Sequence, residues 1–382
     1  MEAGSNPSAV SPPWRILHVE ASCGWGGQEI RTLTEARGLI GRGHELLLLA
    51  PEEAHILRNA PQYGVPAQAT PLGKKSLSAL WAMRKQLLRF APHIVVSHSS
   101  VDSWLAAVAV RTLAPRPPLL RLRHVSTTVG QDPLTRWLYS KGCDHLVTTG
   151  EALKSRLHSE NGVAPDHMTS IPTGIDLERF HPGDKSAARH ALGLPETAPI
   201  VGIVATLRNW KGHVYLFQAM AELIREEPSR HLLVVGDGPQ RANLQRLAAE
   251  LGLTERLIMP GNREDVPLWL QAMDLFVLPS YAEEGVPQAL MQAMATGLPV
   301  ISTPIGSIGE LVIAEQTGLL VPPKQSDALA SAIRRLLEHP EQRQQLGEGA
   351  LHHAREHCGL ERMLDRMEAL FHRLIVPATG SR

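Results

Sequence analysis

Short runs of apolar residues recur along this chain, and stretches with a helical period separate them. Runs of this length predict strands that are buried on both faces, as in a parallel sheet covered by helices. The first series of predicted strands is Arg15–Val19, Glu45–Ala50, His93–Ser97, Leu119–Arg123 and His145–Thr148. The second series is Ile200–Ala205, His231–Gly236, Leu257–Pro260, Leu275–Pro279, Pro299–Ser302 and Gly318–Val321. The alternation predicts an α/β fold.

A turn-rich segment at residues 171–183 closes the first series, and a helix at Ser186–Leu192 opens the second. This break predicts two doubly wound domains, at residues 14–183 and 184–355. The pattern is helical again from about Glu341 to Leu374 and ends in a long apolar run. Residues 356–382 are therefore predicted as a C-terminal helix, and its return to the first domain is a hypothesis.

Composition agrees with a soluble protein of two domains. The chain has 382 residues, of which 43% are hydrophobic and 20% charged. No apolar run reaches the roughly 20 residues that a membrane span requires. Residues 1–13 are polar and predict a loose tail in place of a signal peptide. The three cysteines are an odd number and lie far apart, so we expect a reducing compartment, the cytoplasm.

The net charge of zero conceals a basic region. Residues 72–123 hold nine Lys or Arg and a single acid, Asp102. Several of these cations fall on a predicted amphipathic helix, Ser76–Phe90, which suits peripheral contact with an anionic membrane. A solvated outer face of an α/β helix explains the same pattern, and both interpretations stay open. With 4% aromatic residues and no recognisable module, the chain is not expected to bind nucleic acid.

The segment from Ser280 to Val300 follows a predicted buried strand and is the most informative stretch for function. An acidic loop leads into a helix that begins at about Pro287. In parallel α/β sheets such a position binds ligands, because unpaired amides and the helix dipole attract an anion. Glu284 in the loop and Gln292 on the helix can then reach one ligand from different heights.

Two other loops of the second domain carry cations. Arg208 and Lys211 lie between a strand and a helix, where charge and helix dipole together make a diphosphate clamp. Arg263 follows the strand Leu257–Pro260, in a loop that could touch a nucleotide base.

In the first domain, Gly26 and Gly27 follow the first strand and permit close approach of a phosphate or a sugar. A plain tight turn is the alternative, and the dinucleotide fingerprint is absent. His124 and His98 each follow a strand, at the edge where ligands of this domain would lie; a structural role is the alternative for both. No Gly-x-Ser-x-Gly motif or paired zinc spacing occurs.

Together these motifs resemble the retaining glycosyltransferases of family 4, which have the GT-B fold of two Rossmann-like domains facing a central cleft. The resemblance extends from Trp14 to the C-terminus. The segments that carry it are Trp210–His213, Val234–Pro239, Asp265–Pro267, Phe276–Ser280, Glu284–Pro299 and Thr173–Phe180.

The resemblance implies a nucleotide-diphosphate sugar, expected to be a UDP-hexose, bound mainly by the second domain. Lys211 and Arg208 would hold the diphosphate, and Gln292 the ribose. Glu284 would address the transferred sugar. The positions that complete the donor site by the same match are Val286, Pro287, Gln288, Ala289 and Arg263.

In the first domain, the resemblance places Gly26 and Gly27 near the donor phosphate and the acceptor, and His124 against the donor sugar. Such enzymes need no metal or other cofactor, because cations and helix termini stabilise the departing diphosphate. The expected acceptor is lipid-linked, lipopolysaccharide or another surface glycan, on the inner face of the cell membrane.

Two positions depart from the family pattern. Thr206 stands where an arginine is usual, and Arg208, two residues on, can substitute for it. Gln292 replaces a glutamate, and its neutral amide should weaken the bond to the ribose by roughly 1 kcal/mol. These departures leave open a catalytically silent, nucleotide-binding subunit. A nucleotide-sugar 2-epimerase of the same fold is a further alternative, although it needs acid and base carboxylates that the sequence does not place.

Overall fold

The computed structural model describes residues 13–124, 128–282 and 284–376. The polar tail predicted for residues 1–13 lies outside the described residues, apart from Pro13. The described residues form two separate parallel sheets, each flanked by helices.

The first sheet has seven strands in the order β3-β2-β1-β4-β5-β6-β7, so its winding reverses between β1 and β4. Its strands are β1 Arg15–Val19, β2 Glu45–Ala50, β3 Ala67–Ala69, β4 Ile94–Ser97, β5 Leu119–Arg123, β6 His145–Thr148 and β7 Met168–Ser170. All five predicted strands are present. The prediction missed β3 and β7, because each has three residues, lies at an edge of the sheet and lacks a continuous apolar run.

The helices of this half follow the strands in alternation. They are α1 Gly27–Gly41, α2 His55–Asn59, α3 Leu77–Phe90, α4 Ser100–Val110, α5 Pro133–Ser140 and α6 Glu151–Asn161. The predicted amphipathic helix is α3. Its N-cap is Ser76, whose hydroxyl accepts a hydrogen bond from the Ala79 amide at 3.1 Å.

The second sheet has six strands in the order β10-β9-β8-β11-β12-β13, and its winding reverses between β8 and β11. Its strands are β8 Ile200–Val204, β9 His231–Val235, β10 Leu257–Gly261, β11 Leu275–Leu278, β12 Val300–Ser302 and β13 Gly318–Leu320. Every predicted strand is present. Several end one residue early, because their last residue already belongs to a loop at the carboxyl edge.

The remaining helices pack around the second sheet, except for the last. They are α7 Lys185–Leu192, α8 His213–Glu226, α9 Arg241–Glu250, α10 Val266–Gln271, α11 Gln288–Ala295, α12 Ser326–Glu338, α13 Pro340–His357 and α14 Leu360–Ile375. The long helical pattern near the C-terminus is thus two helices, not one. It breaks at Gly359. There the Ile175 amide donates to the Cys358 carbonyl at 2.7 Å, and the Ile175 carbonyl accepts from the Leu360 amide at 2.9 Å.

After this break α14 packs on α1 in the first half. Met363, Leu364, Met367 and Phe371 are buried in the same apolar cluster as Ile16 and Leu33, on one face of the first sheet. A second cluster fills the other face, and a third surrounds the second sheet. The two sheets lie on either side of residue 184, and the exact domain boundaries stay a prediction.

Candidate functional site

Ligand crevices of doubly wound sheets form where the winding reverses, at the carboxyl ends of the strands. In the second sheet this point lies between β8 and β11, which are neighbours. The loop after β8 contains Lys211, in the 3₁₀ turn Asn209–Lys211. The loop after β11 contains Glu284. The topology therefore brings together two side chains that are 73 positions apart in the sequence.

Two glycines allow these loops to approach closely. Gly212 has φ +76°, and a Cβ there would lie 2.0 Å from the Pro279 carbonyl oxygen. Gly306, after β12, has φ +59°, and a Cβ there would lie 1.9 Å from the Glu284 carbonyl oxygen. A side chain at either position would push the loops apart, because both conformation and space favour glycine.

Lys211 and Glu284 form an ion pair at the centre of this crevice. The Lys211 Nζ lies 2.6 Å from Glu284 Oε1, and the Ser280 hydroxyl donates to the same oxygen at 2.6 Å. The Glu284 side chain is 5% exposed and the Lys211 side chain 19%. A buried carboxylate with one cationic partner and one hydroxyl partner can accept further hydrogen bonds from a ligand, while the lysine can turn toward an anion.

The other predicted cations of this half lie apart from that pair. The exposed Arg208 guanidinium lies 5.2 Å from the Trp210 ring centroid, in a cation–π contact. Arg263 forms a bidentate ion pair with Asp265, with both N–O distances 2.9 Å, which raises the pKa of the Arg263 guanidinium. The structure does not place either guanidinium beside Glu284.

The two halves meet across the cleft at Gly27. The Gln288 side-chain amide donates to the Gly27 carbonyl at 2.8 Å, and a Cβ on residue 27 would lie 3.0 Å from the same nitrogen. Gln288 begins α11, after the N-cap Pro287, and Gln292 follows one turn later on the same face. Both glutamines are half-buried. The predicted first-half and second-half positions are therefore in direct contact here.

The other predicted positions lie at or just before the first turn of α11. Val286 and Pro287 are buried, in the same loop as Glu284, and Ala289 is half-buried.

The loop that precedes α1 rests on buried carboxyl groups. Glu20 Oε1 accepts from the Ser22 amide at 2.8 Å, and Glu20 Oε2 from the Gln28 side chain at 2.5 Å. Asp102, the third residue of α4, accepts from the Ala21 amide at 3.0 Å. Burial, together with the charge of Asp102, raises the pKa of Glu20 to about 8, and burial raises the pKa of Asp102 to about 6. Gly26 caps α1 in an extended conformation that any residue could adopt.

His124 follows β5 at the carboxyl edge of the first sheet and is half-buried. Its Nε2 lies 2.9 Å from His98 Nδ1, and His98 Nε2 lies 2.9 Å from His18 Nδ1. The sequence placed His98 and His124 at this edge but gave no sign of His18. That contact depends on which strands are neighbours, and a single sequence does not give the strand order.

Ser280 and Gly306 were also absent from the predicted site. Ser280 was recognisable only as the residue after a strand, and Gly306 as one of two glycines that follow β12. Within the described ranges, no group of three or more His, Cys, Asp or Glu is placed to hold a metal ion.

Comparisons with known proteins agree with this architecture. Residues 25–179 match the family model described as Glycosyltransferase Family 4, and residues 184–353 match the model described as Glycosyl transferases group 1. D-inositol 3-phosphate glycosyltransferase of Stackebrandtia nassauensis is 30% identical over 374 residues, which cover 86% of this chain and 83% of that protein. The chain belongs to the family 4 glycosyltransferases, and the resemblance noted in its motifs is confirmed.

Other curated relatives match over a shorter length. The lipopolysaccharide core biosynthesis mannosyltransferase LpsB of Rhizobium meliloti is 32% identical over 229 residues, 57% of this chain and 63% of that protein. The chain spans between half and three fifths of the length of several D-inositol 3-phosphate glycosyltransferases that it also matches.

Solved structures show the same fold. A glycosyltransferase from Rickettsia africae superposes with a TM-score of 0.86 at 19% identity, over 96% of this chain and all of the other. HepE of Anabaena, in complex with UDP, gives a TM-score of 0.83 at 21% identity, over 94% of this chain and all of the other. The predicted GT-B fold is therefore confirmed.

Proposed function

We propose that this protein is a retaining hexosyltransferase that moves a sugar from a nucleotide-diphosphate sugar to a surface-glycan acceptor. The observation that carries the proposal is the Lys211–Glu284 pair at the reversal point of the second sheet. A cation and a buried carboxylate meet there on neighbouring loops, and Gln288, at the start of the helix that follows the Glu284 loop, contacts Gly27 of the first half. Family membership is the second support.

In the proposed complex Lys211 leaves Glu284 and binds the diphosphate of the donor. Glu284 then accepts hydrogen bonds from hydroxyl groups of the transferred sugar. Arg208 supplies a second charge by leaving the Trp210 ring, and Gly26 and Gly27 let the donor phosphate and the acceptor approach the backbone. Charge developing on the leaving diphosphate is stabilised by these cations and by the first turn of α11, without a metal ion.

Retention of configuration follows from attack on the face that the diphosphate leaves. The leaving phosphate oxygen then takes the proton of the acceptor hydroxyl, so no second carboxylate of the kind used by retaining hydrolases is required. His124 lies against the donor sugar in this arrangement. Gln292 binds the ribose, and Arg263 exchanges Asp265 for the base.

UDP is the proposed nucleotide, since structures of HepE contain UDP and UDP-glucose. The proposed acceptor is lipid-linked or a lipopolysaccharide. LpsB, by its name, acts in lipopolysaccharide core biosynthesis, and this supports the proposal.

The surface of α3 supports an acceptor at a membrane. Leu77, Trp81 and Leu88 are 81%, 72% and 56% exposed and form one stripe at helical spacing. Lys85 is exposed on the same stripe, and Lys75 just before the helix lies 5.1 Å from the Trp104 ring centroid. Exposed apolar side chains among cations suit peripheral binding to anionic lipid. None of the described helices is both long enough and apolar enough to span a bilayer.

The transfer reaction is tested with labelled UDP-sugars and extracted lipid-linked acceptor. We expect transfer by the unchanged protein and a loss of at least about 100-fold in kcat/KM for Lys211→Ala and for Glu284→Ala. Lys185→Ala, which removes a half-exposed lysine paired with Asp274, should leave transfer unchanged. Activity untouched by both site variants would refute the site assignment.

The membrane contact is tested by flotation with anionic vesicles. Reversal of Lys74, Lys75, Arg84 and Lys85 to Glu should release the protein. The matched control reverses four arginines of the second half, Arg225, Arg246, Arg256 and Arg355. Equal binding by both variants would contradict a role for α3.

The catalytically silent subunit remains the second candidate, because the two departures, Thr206 and Gln292, both belong to the donor side. Calorimetry with UDP separates it from the enzyme. Tight binding of UDP without transfer from any donor to any acceptor would favour it.

A further inference from the structure

Three histidines form a row on one face of the first sheet: His18 lies on β1, and His98 and His124 directly follow β4 and β5. His18 on β1 pairs in register with Val96 on β4, and Val96 pairs with Leu120 on β5. His98 therefore lies two residues beyond the level of His18, and His124 four residues beyond it. Even spacing keeps all three on one face. From β1 through β4 to β5, each histidine therefore lies two residues closer to the carboxyl edge of the sheet.

The imidazole rings touch along this row. His18 Nδ1 lies 2.9 Å from His98 Nε2, and His98 Nδ1 lies 2.9 Å from His124 Nε2. The ring centroids are 5.0 and 5.2 Å apart, and the rings are nearly parallel. His18 is fully buried and His98 is 4% exposed. At each contact one nitrogen must carry a hydrogen and the other a lone pair.

Burial keeps the three rings neutral. It lowers the pKa of His18 to about 3 and holds those of His98 and His124 well below the usual value, and Arg31 lowers the last two further. A neutral ring has one N–H. The two contacts then permit only two arrangements: all three hydrogens are on Nδ1, or all three are on Nε2.

Two independent observations favour the Nδ1 arrangement. The Thr32 hydroxyl donates to the Gln28 carbonyl at 3.0 Å, so toward His98 Nδ1, at 3.4 Å, its oxygen can only accept. A hydrogen on His98 Nδ1 satisfies both Thr32 and His124. At the other end, His18 Nε2 is buried and has no partner among the described residues. An unpaired lone pair is tolerated there better than an unpaired N–H.

We propose that His18 and His98 are positioning residues that hold His124 in its Nδ1–H tautomer. His124 uses Nε2 to accept from His98, so Nδ1–H is the group it presents to a ligand at the carboxyl edge. It is thereby a hydrogen-bond donor to an oxygen of the bound sugar substrate and not a general base. The ligand in this inference rests on the proposed glycosyl transfer, whereas the tautomer does not.

The tautomer is measured directly on the unchanged protein. Histidine-selective ¹⁵N labelling and long-range ¹H–¹⁵N spectra distinguish Nδ1–H from Nε2–H, and the signal missing in His124→Gln assigns His124. We expect the Nδ1–H pattern at neutral pH. An Nε2–H pattern, or a mixture of the two, would overturn the inference, and neither result depends on any enzymatic activity.

The positioning role is tested with a pair of variants of the same shape. In His98→Leu, His124 loses its donor, so its spectrum should change to mixed tautomers and kcat should fall about tenfold. In His98→Asn, the side-chain amide can donate from the place of Nδ1, so the spectrum and most of kcat should return. If the Leu variant keeps the His124 spectrum of the unchanged protein, His98 does not set the tautomer.

The spectra test the tautomer and the transfer assay tests the proposed function, so either claim can be refuted without the other. A protein with His124 in the Nδ1–H form that transfers no sugar would refute the proposed function and leave the tautomer established. Transfer that is equally fast in the Leu and Asn variants would refute the donor role of His124. If either variant does not fold, the spectrum of the unchanged protein still decides the tautomer.

Discussion

At the edge of the first sheet the polar groups are buried and held by one another, whereas at the edge of the second sheet a lysine and a carboxylate form a buried ion pair. The histidine row and the raised pKa of Glu20 reduce the charge of the first edge at neutral pH, where Asp102, with a pKa of about 6, stays mostly ionised. The second edge keeps a cation and an anion 2.6 Å apart. In the proposed complex a sugar binds to the fixed donors of the first edge without displacing them, whereas the diphosphate takes Lys211 from Glu284. The first half would then be preorganised, and the second half would exchange one ionic partner for another.

The largest predicted effect is a loss of stability, caused by a side chain that forces apart the loops after β8 and β11. In Gly212→Ala the new Cβ would lie 2.0 Å from the Pro279 carbonyl oxygen, at φ +76°. We expect the free energy of unfolding to fall by about 3 kcal/mol or more, measured by urea denaturation.

Gly252→Ala is the matched control. Its φ is +73°, but a Cβ there would meet nothing within 4 Å. We expect a loss of about 1–2 kcal/mol from conformation alone. Equal losses in the two variants would show that contact with Pro279 does not constrain the loop.

The next prediction concerns the ion pair between Lys211 and Glu284. Lys211→Met leaves the buried Glu284 carboxylate with Ser280 as its hydrogen-bond partner, so the free energy of unfolding should fall by about 2 kcal/mol. The double variant Lys211→Met, Glu284→Gln removes both charges and should recover most of that loss in urea denaturation.

Lys185→Met is the control for this pair. Its lysine is 46% exposed, and its partner Asp274 keeps Arg189 at 2.7 Å, so the change should stay within about 0.5 kcal/mol. A double variant as unstable as Lys211→Met would mean that the methionine, and not the unpaired charge, destabilises the protein.

A pH series examines the first edge. Glu20 has a pKa raised from 4.5 to about 8, so the unfolded chain loses its proton first and stability falls as pH rises through that window. His18 acts in the opposite direction, because its lowered pKa makes stability fall as pH drops from 6.5 toward 3. Between pH 6.5 and pH 8 the histidines oppose the loss from Glu20, so the Glu20 contribution is isolated by comparing a variant with the unchanged protein at both values.

Glu20→Gln imitates the protonated carboxyl group and removes the Glu20 contribution. Relative to the unchanged protein, its free energy of unfolding should rise by about 1 kcal/mol between pH 6.5 and pH 8, measured by urea denaturation at both values. Glu53→Gln removes an exposed carboxylate from the next loop and should show no such rise. The same pH dependence in Glu20→Gln and in the unchanged protein would show that Glu20 is already ionised at pH 6.5.

The two edges also differ in how much of each could be predicted from the sequence. Continuous apolar runs predicted the strands β8 to β13. Lys211 and Glu284 each follow one of these strands, and this position predicted that both lie at a ligand edge. The short edge strands β3 and β7 have too few apolar residues to be recognised. The contact between Lys211 and Glu284 and the requirement for Gly212 depend on β8 and β11 being neighbours. The histidine row depends on the register of three strands, and single-sequence periodicity carries no information on register.

The smallest expected effect concerns Gln292, one of the two positions that depart from the family pattern. Gln292 lies one turn after Gln288, on the face of α11 that reaches the first half. Gln292→Glu would offer a charged acceptor to the ribose hydroxyls, so UDP should bind about fivefold more tightly, or about 1 kcal/mol, in calorimetric titration. Gln344→Glu, on the exposed surface of α13, should leave the affinity unchanged.

An unchanged affinity in Gln292→Glu would mean that residue 292 does not touch the nucleotide. Weaker binding would mean that a second carboxylate near Glu284 repels the diphosphate more than it attracts the ribose. In that case the neutral amide at position 292 would avoid a further negative charge beside Glu284, which has lost Lys211 to the diphosphate. The departure at position 292 would then favour donor binding by this chain.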